Sequence, residues 1–383
     1  MKRLFLIFHG RFPCEKAAAI FAAKDAEAFA DEGVEVILVV PRRIGRSSND
    51  PYDYYKIRRN FRIVYLPVVD FMFFPFAPKI FFWLSFISFS MSSFFYVLFR
   101  ATRHDIIYSN EPLPLFFASF VFPLTFYEMQ DFPESKIRLF GFMLHRIAFI
   151  SVSNRWKKEE MEKVFSIASN KMLYEPNAVD FSEFDIPIGK EESRKKLSLP
   201  LDKKIVVYTG HLYGWKGVDT LALAARELSD EYLVFFVGGT DDDQKRFRKM
   251  YGDCKNIIIS GLKPHSEIPL WQKAADVLVL PNTAKEKISK YYTSPMKLFE
   301  YMASKRPIIA SRIPSLSGLI DERSVIFVEP DNSSELARAI ERVCANLKLV
   351  ESVSLSAYEL VKDFTWNKRA QRIIKFIGVL NNN

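Results

Sequence analysis

Lys297 and Glu300 stand three residues apart in TSPMKLFEYMASKRPIIAS, residues 293–311, on a segment that otherwise reads as a helix made to be buried. Leu298, Phe299, Met302 and Ala303 recur at three- and four-residue spacing and form an apolar stripe. Pro295 suits the first turn, where its missing N–H is no loss, Thr293 or Ser294 can cap the start, and Pro307 ends the helix. On these residues alone the charged pair reads two ways, as a solvated i,i+3 ion pair or as ligands. The helix start leaves the N–H groups of Ser294, Met296 and Lys297 for an anion. Glu300, one turn in, could accept hydrogen bonds from the two vicinal hydroxyls of a ribose.

A second stretch, GHLYGWKGVDTLALAARELS, follows the apolar run KKIVVYTG. Gly210, Gly214 and Gly217 allow close backbone approach, and Lys216 supplies a positive charge just before a helix N-terminus, which suits phosphate. The spacing fits neither a Walker loop nor GxGxxG, so kinase and dehydrogenase readings lose their main support. A nucleoside diphosphate would satisfy both stretches, with phosphates at Lys216 and the helix start and ribose at Glu300.

Other residues invite chemistry less. GGTDDDQKRF resembles a metal-binding Asp-x-Asp, but Thr240 to Asp243 open a helix directly after a strand, where acidic residues cap and complement the dipole. His9, His104, His145 and His265 lack metal-ligand spacing and read as local structural residues, so no metal site is expected. His9 with Gly10 ends the first strand, where substrate could reach it. Cys14, Cys254 and Cys344 are scattered and imply reduced thiols in a cytoplasmic setting.

The elements that must position these residues alternate along all 383 residues. LFLIF, VEVILVV, FRIVYL, DIIYS, LTFYEM, AFISVS and KMLYEP read as strands of a first domain, with residues 16–31 as the first crossover helix. KKIVVYTG, YLVFFVGG, NIIISG, DVLVLPN, RPIIAS and SVIFVEP read as strands of a second. The expected architecture is α/β, two doubly wound Rossmann-like domains at residues 1–185 and 186–365, with a basic amphipathic helix at 366–383 that could pack back on the first. Ligands of such sheets bind beyond the carboxyl ends of the strands, where the two stretches above fall.

The net charge of +9 calls for an anionic partner. Residues 80–99, IFFWLSFISFSMSSFFYVLF, carry no charge and are long enough to span a bilayer, but five serines and the preceding FMFFPFAPK also suit a buried or an interfacial helix. The basic residues Arg42, Arg43, Arg46, Lys56, Arg58, Arg59 and Arg62, with KIRLFGFMLHRIAF and the apolar Phe71, Phe73 and Phe74, make the first domain basic and apolar, as association with an anionic membrane requires. The opening MKRLFLIF is too short for a signal-peptide core and reads as a strand.

GH-x-x-x-WKG-VDTL, SP-x-K-LFEYMA-x-x-x-P and the closing FTW-x-x-RA together resemble glycosyltransferase family 4, a GT-B group. RFPCEKAAA, GVEVILVVPR, YEMQDFP and EPNAVDFSEF extend the resemblance over nearly the whole chain. It implies a retaining, metal-independent transferase without a cofactor, its nucleotide-sugar donor held in a cleft between the domains. Lys216 then falls at the donor diphosphate and Glu300 at the ribose, with Gly210, His211, Tyr292, Thr293, Ser294, Pro295 and Lys297 lining the donor. His9, Gly10 and Lys16 fall on the acceptor side. The family commonly has two glutamates separated by seven residues, and here Tyr292 takes the place of the first. His211 replaces a frequent arginine, and Gln130 stands where many relatives place a histidine near the transferred sugar.

Breaking the sugar–diphosphate bond puts negative charge on the leaving group and oxocarbenium character on the sugar. Lys216 and the helix start would stabilise the first. No carboxylate is obviously placed as a nucleophile, so the family's front-face route, in which the leaving phosphate helps deprotonate the acceptor, is the working expectation, with Asp131 and Gln130 as further candidates. The expected partners are a nucleotide sugar, a glycan or lipid-linked acceptor and an anionic membrane surface, not nucleic acid, with the protein peripheral on the cytoplasmic face. A nucleotide-sugar epimerase of the same fold and a catalytically silent nucleotide-binding subunit are the rival readings.

Overall fold

The computed structural model describes residues 3–45, 48–71, 77–135 and 137–381, so Arg46, Phe73 and Phe74 lie outside the described residues. The first sheet contains β1 (Arg3–Ile7), β2 (Glu35–Pro41), β3 (Arg62–Leu66), β4 (Ile106–Ser109), β5 (Thr125–Met129), β6 (Phe149–Val152) and β7 (Met172–Tyr174), in the order β3-β2-β1-β4-β5-β6-β7. The second contains β8 (Lys204–Thr209), β9 (Tyr232–Val237), β10 (Ile257–Gly261), β11 (Val277–Leu280), β12 (Ile308–Ser311) and β13 (Ile326–Val328), in the order β10-β9-β8-β11-β12-β13. Every pairing is parallel, with Leu4 opposite both Val36 and Ile106, and Val206 opposite both Val234 and Val277. Strands such as EVILVVP and KIVVYT are near-continuous apolar runs because helices cover both faces of a parallel sheet. Two doubly wound Rossmann-like sheets are therefore present, as expected.

Each unit has its own core. In the first, Phe5, Ile7, Val39 and Ile107 meet Phe89 and Val97 of helix Pro78–Arg100. In the second, one face packs Val206, Val234 and Val277 under helices Val218–Glu227 and Ser333–Ala345, while the other packs Ile205, Leu278 and Ile308 under helix Met296–Ala303.

The chain passes from the first unit to the second at Glu175–Pro176, visits the second briefly at Asn154–Trp156, and returns at Trp366. Residues 176–185, expected in the first domain, belong to the second unit. Val179 bridges Thr365, and Val179 and Phe184 are buried in the second unit's core, so polarity further along the chain marked the wrong point. Helix Trp366–Asn381 is part of the first unit. Its Arg369 is fully buried and donates to Asp25 Oδ1 and Glu128 Oε2, both at 2.5 Å, while Trp366 meets Phe21 edge-on at 5.1 Å. Removing one partner from such a buried ionic cluster typically costs about 3–5 kcal/mol.

Candidate functional site

In both sheets the strand order reverses beside the middle strand, between β1 and β4 and between β8 and β11. Residues following those four strands occupy the positions where doubly wound sheets take ligands.

In the second unit, the loop after β8 folds back tightly. Gly210 has φ 124°, and a Cβ there would lie 3.1 Å from Lys297 Nζ. Gly217 has φ 71°, and its Cβ would lie 1.8 Å from the Pro281 carbonyl oxygen, so only glycine lets this loop rest on the residues after β11. Lys216 immediately precedes Gly217, its Nζ 4.6 Å from the centre of the Trp215 ring. Burial lowers the Lys216 pKa to about 8 against the opposing charge of Glu300. Lys297 Nζ lies 3.9 Å over the Tyr208 ring, and burial together with the charge of Lys216 holds its pKa well below the usual lysine range. The Glu300 pKa is raised by burial, opposed by His265 and Lys297, and Gln272 Nε2 sits 3.4 Å from Glu300 Oε2. Lys216, Lys297 and Glu300 thus form one half-buried, electrostatically coupled group. An anion entering it would restore what burial has taken from the two ammonium groups.

The helix beside them starts at Met296, one residue later than expected. Pro295 is its N-cap residue, and neither Thr293 nor Ser294 caps it with a side chain. Those two residues are engaged from elsewhere in the unit: Asn177 Nδ2 donates to the Ser294 carbonyl at 2.5 Å, and Asn154 Nδ2 donates to the carbonyls of Tyr291 at 2.8 Å and Thr293 at 3.4 Å. Tyr291 and Tyr292, in the π-helical turn Ile288–Tyr292, pack on Trp156 with centroids 4.8 and 5.4 Å away. Tyr292, expected among the donor contacts, is 8% exposed, with its ring against the Trp156 indole. His211 stacks on Tyr213 at 4.9 Å and lies 3.9 Å from the Asp243 carboxylate. Asp243 itself closes a capping box, its backbone N–H donating to Thr240 Oγ1 at 3.2 Å and its carboxylate accepting from the Thr240 N–H at 3.3 Å.

The corresponding edge of the first unit differs. His9, expected on the acceptor side, is 5% exposed, packed against Phe82, Phe86 and Phe89, with Arg43 donating to its carbonyl at 2.9 Å. Burial and the Arg43 charge push its pKa down to about 3, so His9 is a neutral packing residue. Gly10 is hemmed in by Phe8, whose ring would lie 2.3 Å from a Cβ, and Lys16 is exposed just before helix Ala17–Asp31. Asp131 is exposed and Gln130 half-buried after β5, with Gln130 Nε2 3.5 Å from Glu128 Oε1. Sequence reasoning missed two neighbours. Lys157 is fully buried, donating to Ser153 Oγ at 2.8 Å and to the Gln130 carbonyl, with its pKa lowered to about 8 by burial. Glu111, just after β4, has its pKa raised to about 7 by burial and by Asp131.

With this geometry in hand, residues 203–346 match the family described as glycosyl transferases group 1. TuaC, a glycosyltransferase assigned to teichuronic acid biosynthesis in Bacillus subtilis, is 31% identical over 194 residues, covering 50% of this chain and 46% of TuaC. The chain spans about half the length of the curated relatives it matches. Among solved structures, a sucrose-phosphate synthase from Thermosynechococcus elongatus superposes with a TM-score of 0.79 at 20% identity over 100% of both chains. Anabaena HepE, solved with UDP-glucose, gives 0.75 at 15% identity over 99% of this chain and 100% of its own. The fold is thus that of these GT-B proteins.

Proposed function

We propose that the protein is a retaining, metal-independent glycosyltransferase of family 4 type. It would move a sugar from a nucleotide-sugar donor to a glycan or lipid-linked acceptor in the assembly of a surface polysaccharide, lipopolysaccharide or glycolipid. The observation that carries this reading is the half-buried group of Lys216, Lys297 and Glu300 beside the start of helix Met296–Ala303, which no side chain caps. The match of residues 203–346 to group 1 glycosyl transferases supports it over the same stretch.

The chemistry follows from charge. As the sugar leaves, charge develops on the diphosphate oxygens, and two ammonium groups and a helix dipole that are already in place stabilise it without reorganising. These groups supply the positive charge that a divalent ion would otherwise bring, so no resident cofactor is required. Glu300 takes the ribose hydroxyls, held in orientation by Gln272. On the acceptor side, Asp131 with Glu111 offers carboxylates for a hydroxyl nucleophile, alongside the route in which the leaving phosphate removes its proton. The proposed site of action is the cytoplasmic face of the cell membrane.

The test offers UDP-, GDP- and ADP-sugars, radiolabelled in the sugar, with membrane lipid extract, and follows both label transfer and nucleoside diphosphate binding by calorimetry. Transfer from one donor with the anomeric configuration kept is the expected result. A nucleotide sugar altered without any acceptor would point to an epimerase, binding without turnover to a silent subunit, and neither binding nor turnover would overturn the reading.

A further inference from the structure

One helix of the described residues, Pro78–Arg100, is long and apolar enough to cross a membrane, and its polarity is inside out. Its buried stripe is Ser85, Phe86, Phe89, Ser90, Ser93 and Val97, so half of the side chains facing the protein are serines. Two return their hydroxyls to their own helix, Ser90 to the Phe86 carbonyl at 2.7 Å and Ser93 to the Ser90 carbonyl at 3.0 Å. The opposite stripe, Ile80, Leu84, Ile87, Phe95 and Phe99 at helical spacing, is open, with Ile80 62% and Phe99 80% exposed. A water-facing helix carries the reverse pattern.

The apolar surface continues across two more helices. Ring contacts run from Phe94 to Phe117 at 6.2 Å and from Phe116 to Phe142 at 5.6 Å, joining helix Pro112–Ala118 and helix Ile137–Arg146 to the first. Phe120 and Phe142 extend it outward, 59% and 58% exposed. No acidic residue occurs in residues 78–104 or in Ile137–Arg146, whereas Lys79, Arg100, Arg103, Arg138 and Arg146 border the surface. Arg146 lies 3.9 Å over the Phe120 ring with its charge at the edge of the patch.

We propose that this surface docks in the plane of an anionic bilayer, and that the acceptor brought to the first unit is anchored in that bilayer. An apolar centre with a rim of one sign fits lipid tails and anionic headgroups. A second copy docking by two-fold symmetry would set that basic rim against itself. The helix lies in the plane and does not span: it joins β3 to β4 of one sheet, and crossing a membrane would pull Phe89 and Val97, both fully buried, out of the core. Near its N-terminal end the half-exposed Phe82 meets His9, just after β1, at 5.8 Å, so the helix borders the carboxyl end of the first unit's middle strand. The second clause of the proposal rests on the glycosyltransferase reading, and the first does not.

Flotation with vesicles of phosphatidylcholine alone, or mixed equally with phosphatidylglycerol, tests it on the full chain without any nucleotide. Wild type should float with the mixed vesicles at low salt, leave them in high salt or carbonate, and stay below with phosphatidylcholine alone. Ile80→Ser/Leu84→Ser/Ile87→Ser, at exposed positions, should lower the bound fraction at least tenfold, and Arg100→Glu/Arg146→Glu should bring it to the phosphatidylcholine level. Unchanged nucleoside diphosphate binding in both variants shows that they are folded. Failure of wild type to float, resistance to carbonate, or a dimer in solution that the triple variant dissolves would each overturn the docking face. Docking by wild type together with undiminished transfer to lipid extract by the triple variant would overturn the anchored acceptor. A wild type that docks but binds no nucleoside diphosphate would instead count against the glycosyltransferase reading alone.

Discussion

The two sheets wind in the same order, yet the edges beside their middle strands are opposite in charge. After β8 and β11 stand Lys216 and Lys297, the latter beside Gly210, with one carboxylate among them. After β4 and β5 stand Glu111 and Asp131, with Lys157 turned inward to hold the Gln130 carbonyl. Topology therefore fixes where a ligand can sit, and the loop residues fix its sign. A cationic edge suits a diphosphate whose charge grows as a bond breaks. A carboxylate edge suits hydroxyls that give hydrogen bonds and lose a proton. In the proposed transfer, the cationic edge would take the leaving group and the carboxylate edge the nucleophile.

The largest effect should come from breaking the cationic edge. Lys216→Ala is expected to lower kcat by about 10²–10³, the scale for losing one preorganised electrostatic contact, while changing the affinity for the bare nucleoside far less. Single-turnover kinetics and calorimetry on the same preparation check this; equal losses in both would make Lys216 a general binding residue. Glu300→Ala should weaken nucleoside diphosphate binding by about 1.5–3 kcal/mol, the range for hydrogen bonds to a charged group. Binding of UDP, GDP and ADP by that variant at wild-type affinity would remove the ribose contact and leave the edge without its carboxylate role.

All thirteen strands were legible as apolar runs between turn signals, because strands buried on both faces leave little room for polar residues. Lys216, Lys297 and Glu300 were legible because glycines and a proline-started helix mark where backbone comes close to a ligand. Asn154, Trp156, Asn177 and Gln272 were not, since each is a lone residue whose partner lies far along the chain. A polar residue two or three positions after a strand, as Asn154 stands after β6 and Asn177 after β7, was the signal available. His9 misled for the same reason in reverse: its place after β1 suggested substrate, and the aromatic helix that buries it is seventy residues on. For residues 80–99 hydropathy alone left three readings, and the inward serines decide which face is open.

A smaller effect separates charge from metal. If the lysines and helix start suffice at the cationic edge, chelator should leave turnover unchanged. Asp243→Asn should then act mainly through the lost capping box, destabilising the fold by about 1 kcal/mol with activity kept at low temperature. A strict need for manganese or magnesium, abolished by Asp241→Asn/Asp243→Asn, would show that the edge does not supply enough charge.

The effect at the carboxylate edge appears as a pH slope. Glu111 is raised from 4.5 to about 7, first by burial and then by Asp131, so the folded protein keeps a proton that the unfolded chain gives up. Its contribution to stability is full below about 4.5 and is lost as pH rises to about 7. His9 runs the other way: lowered from 6.5 to about 3, it contributes above 6.5, and that contribution is lost as pH falls toward 3. The two oppose each other between those limits, so wild type alone would show a muted profile, and Glu111→Gln isolates one from the other. The wild-type Tm minus the variant Tm should fall steadily from pH 5 to 7 and then level off, by about 5–10 °C in all at roughly 2–4 °C per kcal/mol for a domain of this size. If Glu111 also takes the acceptor proton, wild-type turnover should rise with pH through about 7 while Glu111→Gln stays flat and low. A Tm difference that does not change with pH would mean Glu111 is charged like any surface carboxylate, and the contrast between the two edges would then rest on Asp131 alone.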